Sequence, residues 1–322
     1  MEKLDLLMAT YNGEKYLKEQ IESILNQTYT DFNLLICDDC SSDNTLQILE
    51  EYASKDSRIK IFKNETNQGV IKNFENLLNK VTCKYYMFAD QDDVWKNDKI
   101  EKSVKRIEET KSDLVFCDLE VVDSKLNLLN PSYWKQKGFY KRIVKYNGFE
   151  AMYLNNYVTG CTIIARSEKI KDIMPLPKET KYLIHDYWIA LMSSNLGTIS
   201  FIDEPLIKYR QHENNEIGSK RKSDSIKDFD ELRNLFLDVK IEHFRVFKEN
   251  NHKFNSKYQE LNNKALEYFE RLTTVKYANF SNWGLFFKLY KYENFKYKIL
   301  NFLILNFPGI SRFAFKLIKG RK

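Results

Sequence analysis

The feature that most constrains the fold is an alternation, over the first third of the chain, of short apolar runs with amphipathic stretches. Four apolar runs have the length and composition of buried strands: 3–10, 32–37, 58–62 and 85–89. The stretches between them have apolar residues at helical spacing: 14–27, 45–52 and 70–78. This order predicts βαβ units, a parallel sheet, and a ligand site at the carboxyl ends of the strands.

The composition is that of a globular protein with two parts. Hydrophobic residues make up 43% and charged residues 30% of the 322 residues, which excludes a disordered chain and permits one large domain plus a smaller one. Late in the chain, apolar residues recur only at helical spacing, so we predict an α/β domain at 1–222 and a helical region at 223–322. The N-terminus lacks the pattern of a signal peptide, and we therefore expect a cytoplasmic protein.

Three carboxylates follow the fourth apolar run within four residues: Asp90, Asp92 and Asp93. A solvated turn explains such a cluster, but it does not explain the buried-looking run before it or the Val94-Trp95 pair after it. Clustered oxygen ligands at the end of a parallel strand suit a hard divalent cation that is shared with a phosphate-bearing ligand. The local sequence thus favours a cation site over a polar turn.

The other predicted strands also end in polar residues. Thr10 and Tyr11 follow the first run, and Asp38 and Asp39 follow the second. A parallel topology brings these residues to the same edge of the sheet as the acidic cluster. None of the strands is followed by the glycine-rich loop of dinucleotide-binding enzymes or by a P-loop, which argues against both classes. A phosphate group must then be bound through a metal ion and side chains.

The second half of the α/β region adds three groups of polar and aromatic residues. One precedes a predicted strand, one opens a predicted helix, and one follows a predicted pair of strands at 198–202 and 205–209. In that order they are Thr159-Gly160-Cys161, His185-Asp186-Tyr187-Trp188 and Tyr209-Arg210-Gln211-His212. The segment at 127–145 is aromatic and basic, and we expect an irregular insertion there that flanks a substrate.

Taken together, these motifs resemble those of the inverting family-two glycosyltransferases of the GT-A fold, and within them the rhamnosyltransferase-like branch. The resemblance runs from about residue 4 to residue 218. Besides the three groups above, it rests on Ala-Thr-Tyr-Asn-Gly at 9–13, Asp-Asp-x-Ser-Ser-Asp-x-Thr at 38–45, Asn-x-Gly at 67–69 and Ala-Asp-Gln-Asp-Asp-Val-Trp at 89–95. It implies the nucleotide-diphospho-sugar transferase fold, which is Rossmann-like with a mostly parallel sheet, followed here by the helical C-terminal region.

For the donor side, the resemblance implies a nucleotide-diphosphate sugar and a Mg²⁺ or Mn²⁺ ion that bridges its diphosphate. The implied donor-binding residues are Thr10, Tyr11, Asp38, Asp39, Asp90 and Arg210. The implied metal ligands are Asp92 and His212, with Asp93 as a further ligand or a neighbour of one. A loop at 213–222 would close over the diphosphate. By its position alone, His212 is also compatible with an exposed loop residue, although the site role is favoured.

For the acceptor side, the resemblance implies a catalytic base, because inversion requires a group that takes the proton of the acceptor hydroxyl. Asp186 matches this base, although its position alone is equally compatible with a capping role at the start of a helix. The implied acceptor-side residues are Gly160, Cys161, His185 and Trp188. The Gln-x-x-Arg-Trp motif of processive members is absent from the sequence, which favours transfer of a single sugar.

Residues 281–322 differ in composition from the rest of the chain. They carry nine basic residues and one acidic residue, interleaved with aromatic side chains, and residues 1–280 have a net charge of −2. Short basic, aromatic helices suit peripheral contact with anionic lipid, and they also suit helical packing or dimerisation. The slightly acidic body, which has no recognition module, argues against nucleic acid as a partner.

The sequence therefore predicts a metal-dependent inverting glycosyltransferase that acts in cell-surface polysaccharide synthesis. Its donor would be a nucleotide-diphosphate sugar, with dTDP-L-rhamnose as the first candidate, and its acceptor a glycan or a lipid-linked glycan at the inner membrane face. The alternatives are a UDP-hexose-dependent transferase of the same fold, a nucleotidyltransferase, and a non-catalytic sugar-nucleotide-binding or membrane scaffold protein. The segment at 9–16 lacks a nucleotidyltransferase loop, and the intact set of carboxylates argues against a scaffold.

Overall fold

The computed structural model describes residues 2–146, 148–178, 180, 183–213, 228–275, 280, 283–293 and 295–319. The first part of the chain alternates strands and helices, as the sequence predicts. In order, these elements are β1 (Leu4–Thr10), α1 (Leu17–Leu25), β2 (Phe32–Asp38), α2 (Thr45–Lys55), β3 (Ile59–Lys63), α3 (Val70–Leu78) and β4 (Tyr85–Ala89). The predicted α/β class is confirmed.

The middle of the chain completes the sheet. Its elements are β5 (Val94–Trp95), α4 (Lys99–Thr110), β6 (Leu114–Val122), β7 (Leu128–Asn130), α5 (Tyr133–Lys137), α6 (Tyr140–Tyr146), α7 (Phe149–Met152), β8 (Ile164–Arg166), α8 (Ile170–Ile173), α9 (His185–Leu196) and β9 (Ile199–Arg210). The strand order is β3-β2-β1-β4-β8-β6-β9-β5, and β7 pairs with β6 at the side.

The sheet is parallel in one half and mixed in the other. β1, β2, β3 and β4 pair in parallel, as do β6 and β9. β8 enters between β4 and β6 and is antiparallel to both, and β5 and β7 are also antiparallel to their partners. The parallel arrangement expected from the βαβ pattern describes β1 to β4, which α1, α2 and α3 join as helical crossovers.

Two apolar layers explain why β1, β2 and β4 are predominantly apolar between their ends. Successive side chains of β1 alternate between them: Leu6 and Met8 belong to the layer that contains α1 and α4, and Leu7 belongs to the layer that contains α3 and α9. A strand that is covered on both faces has no position for a polar side chain except at its ends. The polar residues of β1 and β2 therefore lie near the strand ends: Asp5 and Asn33 at the amino ends, and Thr10 and Asp38 at the carboxyl ends.

β9 differs from the sequence prediction of two separate strands. It runs without a break from Ile199 to Arg210, and its pairing with β6 shifts register where Asp118 meets Pro205. Proline cannot donate a backbone hydrogen bond and is tolerated at such irregular positions. The uninterrupted strand carries Arg210 to the same edge as the acidic loop after β4.

The segment predicted to be an irregular insertion at 127–145 is instead largely helical. It forms β7 at the edge of β6 and then α5 and α6. Trp134 of α5 is buried and packs edge-on against Phe116 of β6, with their ring centroids 5.5 Å apart. Trp134 thus serves packing, whereas Tyr133 and Phe139 of the same segment line a cavity at the carboxyl edge of the sheet. A position of this segment beside a substrate stays a prediction.

The C-terminal region consists of α10 (Phe229–Glu249), α11 (Ser256–Leu272), α12 (Trp283–Leu289), α13 (Phe295–Asn306) and α14 (Pro308–Lys319). The predicted domain boundary at 222/223 lies outside the described residues and stays a prediction. One apolar cluster joins α10 and α11 to the α/β region, since Phe244 and Phe247 pack with Tyr153. Among the described helices, none is both long enough and apolar enough to cross a bilayer.

Candidate active site

An open cavity of about 680 Å³ lies at the carboxyl ends of β1 and β4. Its walls come from segments far apart in sequence, which include 9–11, 67–70, 90–92, 156–160 and 184–186. A second cavity of about 890 Å³ adjoins it, and both have Tyr11, Gln91 and Asp92 in their walls. The carboxyl edge of the sheet thus forms a two-part site, as the topology predicts.

The end of β1 is tied to the end of β2 by a buried carboxylate. Asp38 accepts hydrogen bonds from Thr10 Oγ1 at 3.0 Å and from the backbone N and Oγ of Ser41 at 2.9 and 2.6 Å. Thr10 lines the first cavity, whereas Asp38 is buried behind it. Asp38 was predicted to bind the donor, but in the structure its side chain organises the wall.

Asp39 lines the first cavity and holds the loop that precedes α3. Its carboxylate accepts hydrogen bonds from the backbone N of Gln68 and of Gly69, both at 2.9 Å, and from Asn64 Nδ2 at 2.8 Å. Gly69 has a φ of 81°, a conformation that glycine adopts without strain. Asp39 therefore fixes a concave backbone surface within the predicted nucleotide pocket.

Gln91 joins the acidic loop to the loop after β1. Its Oε1 accepts from the backbone N of Tyr11 at 3.0 Å, and its Nε2 donates to the backbone O of Tyr11 at 3.0 Å. A Cβ atom at Gly13 would lie 2.2 Å from Gln91 Oε1, so this approach requires glycine. The pairing positions Tyr11 at the boundary between the two cavities. Sequence reasoning missed this role of Gln91, because its partner is 80 residues away.

The structure separates the three acids of the loop. Asp92 Oδ2 lies 2.8 Å from His212 Nε2, so the two predicted metal ligands are adjacent although 120 residues separate them. Asp90 lines the first cavity, and oxygen atoms of Asp90 and Asp93 lie within 4.8 Å of the Cys161 Sγ. Asp93 is fully buried and accepts a hydrogen bond from the backbone N of Arg210 at 3.1 Å.

The donor set of this region favours Asp92 and His212 as the place for a divalent cation. A carboxylate oxygen and an imidazole nitrogen side by side suit Mn²⁺ and leave positions for water and phosphate oxygens. Burial, followed by the charges of Asp92 and Asp90, raises the pKa of Asp93. Burial likewise raises the pKa of the Cys161 thiol. Both groups therefore retain their protons more readily than usual and are poorer ligands for a hard cation.

Arg210 lies behind the acidic loop and not in either cavity. Its side chain is only 1% exposed, and its guanidinium donates to the backbone O of Asp92 at 2.7 Å and of Ser124 at 2.9 Å. It also forms an ion pair with Glu19 and lies over the ring of Tyr16. The guanidinium thus holds the backbone of the acidic loop, because backbone carbonyls accept its planar donors. A contact of Arg210 with the donor stays a prediction.

Asp186 occupies the first turn of α9 and lines the first cavity with only 5% of its surface exposed. Its Oδ2 accepts from the backbone N of Gly160 at 3.0 Å, and its Oδ1 accepts from Asn156 Nδ2 at 3.3 Å and from the backbone N of Tyr187. Burial raises the pKa of Asp186 to about 7, although these hydrogen bonds oppose the shift. A carboxylate with such a pKa is well suited to accept a proton at neutral pH.

The remaining acceptor-side predictions divide into two groups. Gly160 and His185 line the cavity beside Asp186. Trp188 is fully buried, and its Nε1 donates to the backbone O of Ile173 at 3.2 Å. Cys161 is fully buried beneath the acidic loop. Neither Trp188 nor Cys161 lines either cavity, because both side chains are buried in the core.

The wall that carries Asn156 is held from behind by the C-terminal helices. Lys240 of α10 donates to Asn155 Oδ1 at 2.9 Å and to the backbone O of Leu154. Glu293 accepts from Asn155 Nδ2 at 3.0 Å and pairs with Arg142. Sequence reasoning missed Asn156 and Lys240 as contributors to the site, since a single asparagine and a lysine in an amphipathic helix carry no pattern. The predicted closing loop at 213–222 lies outside the described residues, apart from Glu213 in the wall of the second cavity.

Comparison with known proteins agrees with this geometry. The sequence profile of the family described as "Glycosyl transferase family 2" matches residues 5–173. Over 223 residues the chain is 31% identical to the dTDP-rhamnosyl transferase RfbG of Shigella flexneri. The match covers 66% of this chain and 74% of that protein.

Solved structures show the same fold. TarS 1–349 of S. aureus in complex with UDP-GlcNAc has a TM-score of 0.55 at 22% identity and covers 83% of this chain and 71% of that one. The mannosyltransferase PcManGT from Pyrobaculum calidifontis, in complex with GDP-Man and Mn²⁺, has a TM-score of 0.52 at 16% identity and covers 84% of this chain and 74% of that one. At these identities the likeness establishes the GT-A fold and nothing finer.

Proposed function

Starting from the fact that this chain belongs to glycosyl transferase family 2, whose members use nucleotide sugars, we propose that it is an inverting, metal-dependent glycosyltransferase. One observation carries the proposal. A buried carboxylate with its pKa raised to about 7, that of Asp186, lines the same cavity as the acidic loop that includes Asp92. The cavity thus combines a proton acceptor with a place for a charged donor.

In the proposed reaction, an acceptor hydroxyl attacks the anomeric carbon of the donor sugar. The bond from that carbon to the diphosphate oxygen breaks as the new glycosidic bond forms, and Asp186 takes the hydroxyl proton. Attack from the face opposite the leaving group inverts the anomeric configuration. Asp92 and His212 would hold a Mg²⁺ or Mn²⁺ ion, which supplies the positive charge that the departing diphosphate needs.

Hydrogen bonds from two elements keep the base in place for this step. The backbone N of Gly160 and the Nδ2 of Asn156 hold the Asp186 carboxylate, while the surrounding core keeps water away from it. In the first turn of α9 the backbone N–H of Tyr187 also donates to the carboxylate, which stabilises the charged form. Asp186 therefore has a fixed orientation and a proton affinity that burial sets.

For the donor, dTDP-L-rhamnose is the first candidate, because RfbG, to which this chain is 31% identical, is a dTDP-rhamnosyl transferase. A UDP-hexose is the second, because the fold matches that of TarS in complex with UDP-GlcNAc. For the acceptor we propose a glycan or a lipid-linked glycan of a cell-surface polysaccharide.

The C-terminal helices support a peripheral contact with the inner membrane face through residues 281–322. Phe295, Phe313 and Ile310 are 76%, 65% and 61% exposed, respectively. They lie among the lysines of a strongly basic segment. Exposed apolar side chains beside basic residues match the interface of an anionic bilayer, where a lipid-linked acceptor would be located.

The decisive experiment is a donor screen with the full-length protein. dTDP-, UDP- and GDP-sugars are each supplied with Mn²⁺ or Mg²⁺, and thermal unfolding and nucleoside diphosphate release are measured with and without glycan acceptors. Only a ligand that binds the folded state raises the unfolding temperature. We expect stabilisation by one nucleotide class and acceptor-dependent release. Absence of release from every donor and acceptor would argue against the proposed activity.

A further inference from the structure

His185 lies beside the base, and its ring is held between aromatic side chains. Phe74 stacks on it with ring centroids 4.2 Å apart and an interplanar angle of 29°, and Phe88 meets it edge-on at 5.6 Å. The residue lines the first cavity with 7% of its surface exposed. Because apolar rings pack against the imidazole, a polar contact of His185 can be made only at the ring edge through its two nitrogens, which are themselves buried.

Neither ring nitrogen of His185 has a hydrogen-bond partner within the described part of the chain. Burial lowers the pKa of His185 to about 3, so its imidazole is neutral at physiological pH and has one donor and one acceptor. A buried polar group without a partner is costly, and natural proteins rarely retain one without a function. The requirement is for a ligand that both accepts and donates a hydrogen bond.

Gly160 lies against one nitrogen of His185. A Cβ atom at this position would lie 3.2 Å from His185 Nε2, which is tighter than side chains normally pack, and 3.4 Å from Asp186 Cβ. The φ of Gly160 is not in the left-handed region, so backbone conformation does not explain the glycine, and a side chain here would press on the nitrogen. Gly160 and His185 line the cavity beside the carboxylate that would take the acceptor proton, where the reacting sugars would meet.

We propose that His185 is a specificity-determining residue that hydrogen-bonds a sugar hydroxyl group at the reaction centre. This rests on the proposed function, since it assumes that sugars occupy the cavity. A hydroxyl group matches a neutral imidazole because it donates and accepts at the same time. The hydroxyl belongs either to the transferred sugar or to the acceptor sugar, and both present the same chemistry to the ring.

The first test separates recognition from packing. In His185→Phe the aromatic stack is kept and the nitrogens are removed. We expect kcat/KM to fall about a hundredfold, because a site built around a hydrogen bond discriminates strongly once that bond is lost. We expect the unfolding temperature to stay equal or rise, because removal of an unsatisfied polar group favours the folded state. A lowered unfolding temperature with unchanged kcat/KM would assign His185 to packing and overturn the proposal.

His243→Phe is the matched control. His243 is also buried and packs against Tyr187 and Phe247, but it lies in α10 and lines neither cavity. Its kcat/KM should remain close to that of the wild type. Equal losses in the two variants would show that the effect comes from the aromatic core and would overturn the assignment.

The second test identifies the partner hydroxyl. Donors and acceptors that each lack one hydroxyl group are compared in wild type, His185→Phe and His185→Gln. For one analogue, kcat/KM should be about a hundredfold lower than for the complete substrate with the wild type, but less than about threefold lower with His185→Phe. This difference is the signature of a direct contact in a double-mutant cycle. A sensitive donor analogue would assign the transferred sugar, and a sensitive acceptor analogue the acceptor. The absence of coupling with any analogue would overturn the proposal.

His185→Gln keeps a hydrogen-bond donor and an acceptor, so its kcat/KM should fall less, about tenfold relative to the wild type. This variant provides the same double-mutant cycle if His185→Phe does not fold. The two proposals also fail in different ways. Wild-type protein that releases no nucleoside diphosphate contradicts the proposed activity. Normal wild-type turnover with equal turnover in His185→Phe contradicts only the role of His185, and the unfolding temperature of His185→Phe tests that role without any substrate.

Discussion

The two sides of the first cavity differ in how their polar groups are stabilised. On the donor side, Asp39 satisfies backbone N–H groups of its own wall, and Gln91 does the same for Tyr11. On the acceptor side, burial displaces two pKa values in opposite directions, that of Asp186 up to about 7 and that of His185 down to about 3. In the proposed function, the donor side is preorganised by hydrogen bonds, whereas on the acceptor side desolvation outweighs the hydrogen bonds of Asp186 and shifts its pKa toward neutral pH.

This difference follows from the elements that build each side. The donor side consists of the ends of β1, β2 and β4, where neighbouring strands supply hydrogen-bond partners at fixed spacing. The acceptor side is the first turn of α9 packed against Phe74 and Phe88, whose apolar rings offer no partners. A sheet edge therefore gives a rigid surface for a large ligand, and a buried helix start gives a proton affinity shifted toward neutral pH.

The largest expected effect concerns the base. Asp186→Asn removes the proton acceptor but keeps the shape and one acceptor oxygen, so kcat should fall about a thousandfold. Thermal stabilisation by the donor should remain near that of the wild type, because the donor side is intact. Steady-state kinetics and ligand-dependent unfolding measure both. Normal turnover would return Asp186 to a capping role and remove the chemical half of the comparison.

The same variant has a stability signature with a defined sign. Burial raises the pKa of Asp186 from 3.8 to about 7, so the folded state binds this proton more tightly than the unfolded chain. The resulting stabilisation is fully present below the unfolded value and is lost as the pH rises through the folded value. Asparagine does not titrate. The unfolding temperature of Asp186→Asn relative to wild type should therefore increase between about pH 5 and about pH 8, and a flat difference would show that Asp186 is not desolvated.

The next effect concerns the cation. Asp92→Ala should lower kcat/KM by about a hundredfold or more and abolish metal-dependent stabilisation by the donor, because the charge on the diphosphate is no longer offset. A chelator should have the same effect on the wild type. Asp123→Asn changes the other aspartate in the wall of the second cavity, whose carboxylate accepts hydrogen bonds from Lys125 and Asn127 within its own turn, and it serves as the control. Activity retained in chelator would contradict the metal assignment.

A smaller effect tests whether Asn156 adjusts the base. The hydrogen bond from its Nδ2 favours the charged form of Asp186 and opposes the shift that burial causes. Asn156→Ala should therefore raise the pKa of Asp186 and move the acidic limb of kcat/KM to higher pH by up to about one unit. A purely structural role would lower activity equally at every pH, and the pH profile distinguishes the two.

The smallest effect concerns the membrane contact. Serine at Phe295, Ile310 and Phe313 together should reduce co-sedimentation with anionic phosphatidylglycerol vesicles severalfold, because each side chain contributes buried apolar area. Leu128→Ser with Leu129→Ser is the matched control, since both leucines are 58% exposed and lie on β7. Equal binding by both variants would favour packing or dimerisation through this surface. Catalysis on a soluble acceptor should be unchanged in either case.

The sequence alone predicted the alternation of strands and helices, because apolar periodicity is a local property of the chain. It also placed Thr10, Asp39, Asp90 and Asp92 at one edge, since parallel strands always bring their carboxyl ends together. Both results hold in the structure. The roles of individual residues in binding and catalysis stay predictions, because geometry shows where a side chain lies and not what it does to a substrate.

Only the tertiary structure decided which polar residues face the cavity. Arg210 and Asp38 look like ligand contacts in sequence, but in the structure the guanidinium and the carboxylate form hydrogen bonds with other parts of the protein. Asp92 meets His212 across 120 residues, and Asn156 meets Asp186 across 30. Local pattern specifies the elements and the end of the sheet at which a ligand binds. Burial and hydrogen bonding depend on contacts distant in sequence, and these set the proton affinity of Asp186 and leave His185 without a protein partner among the described residues.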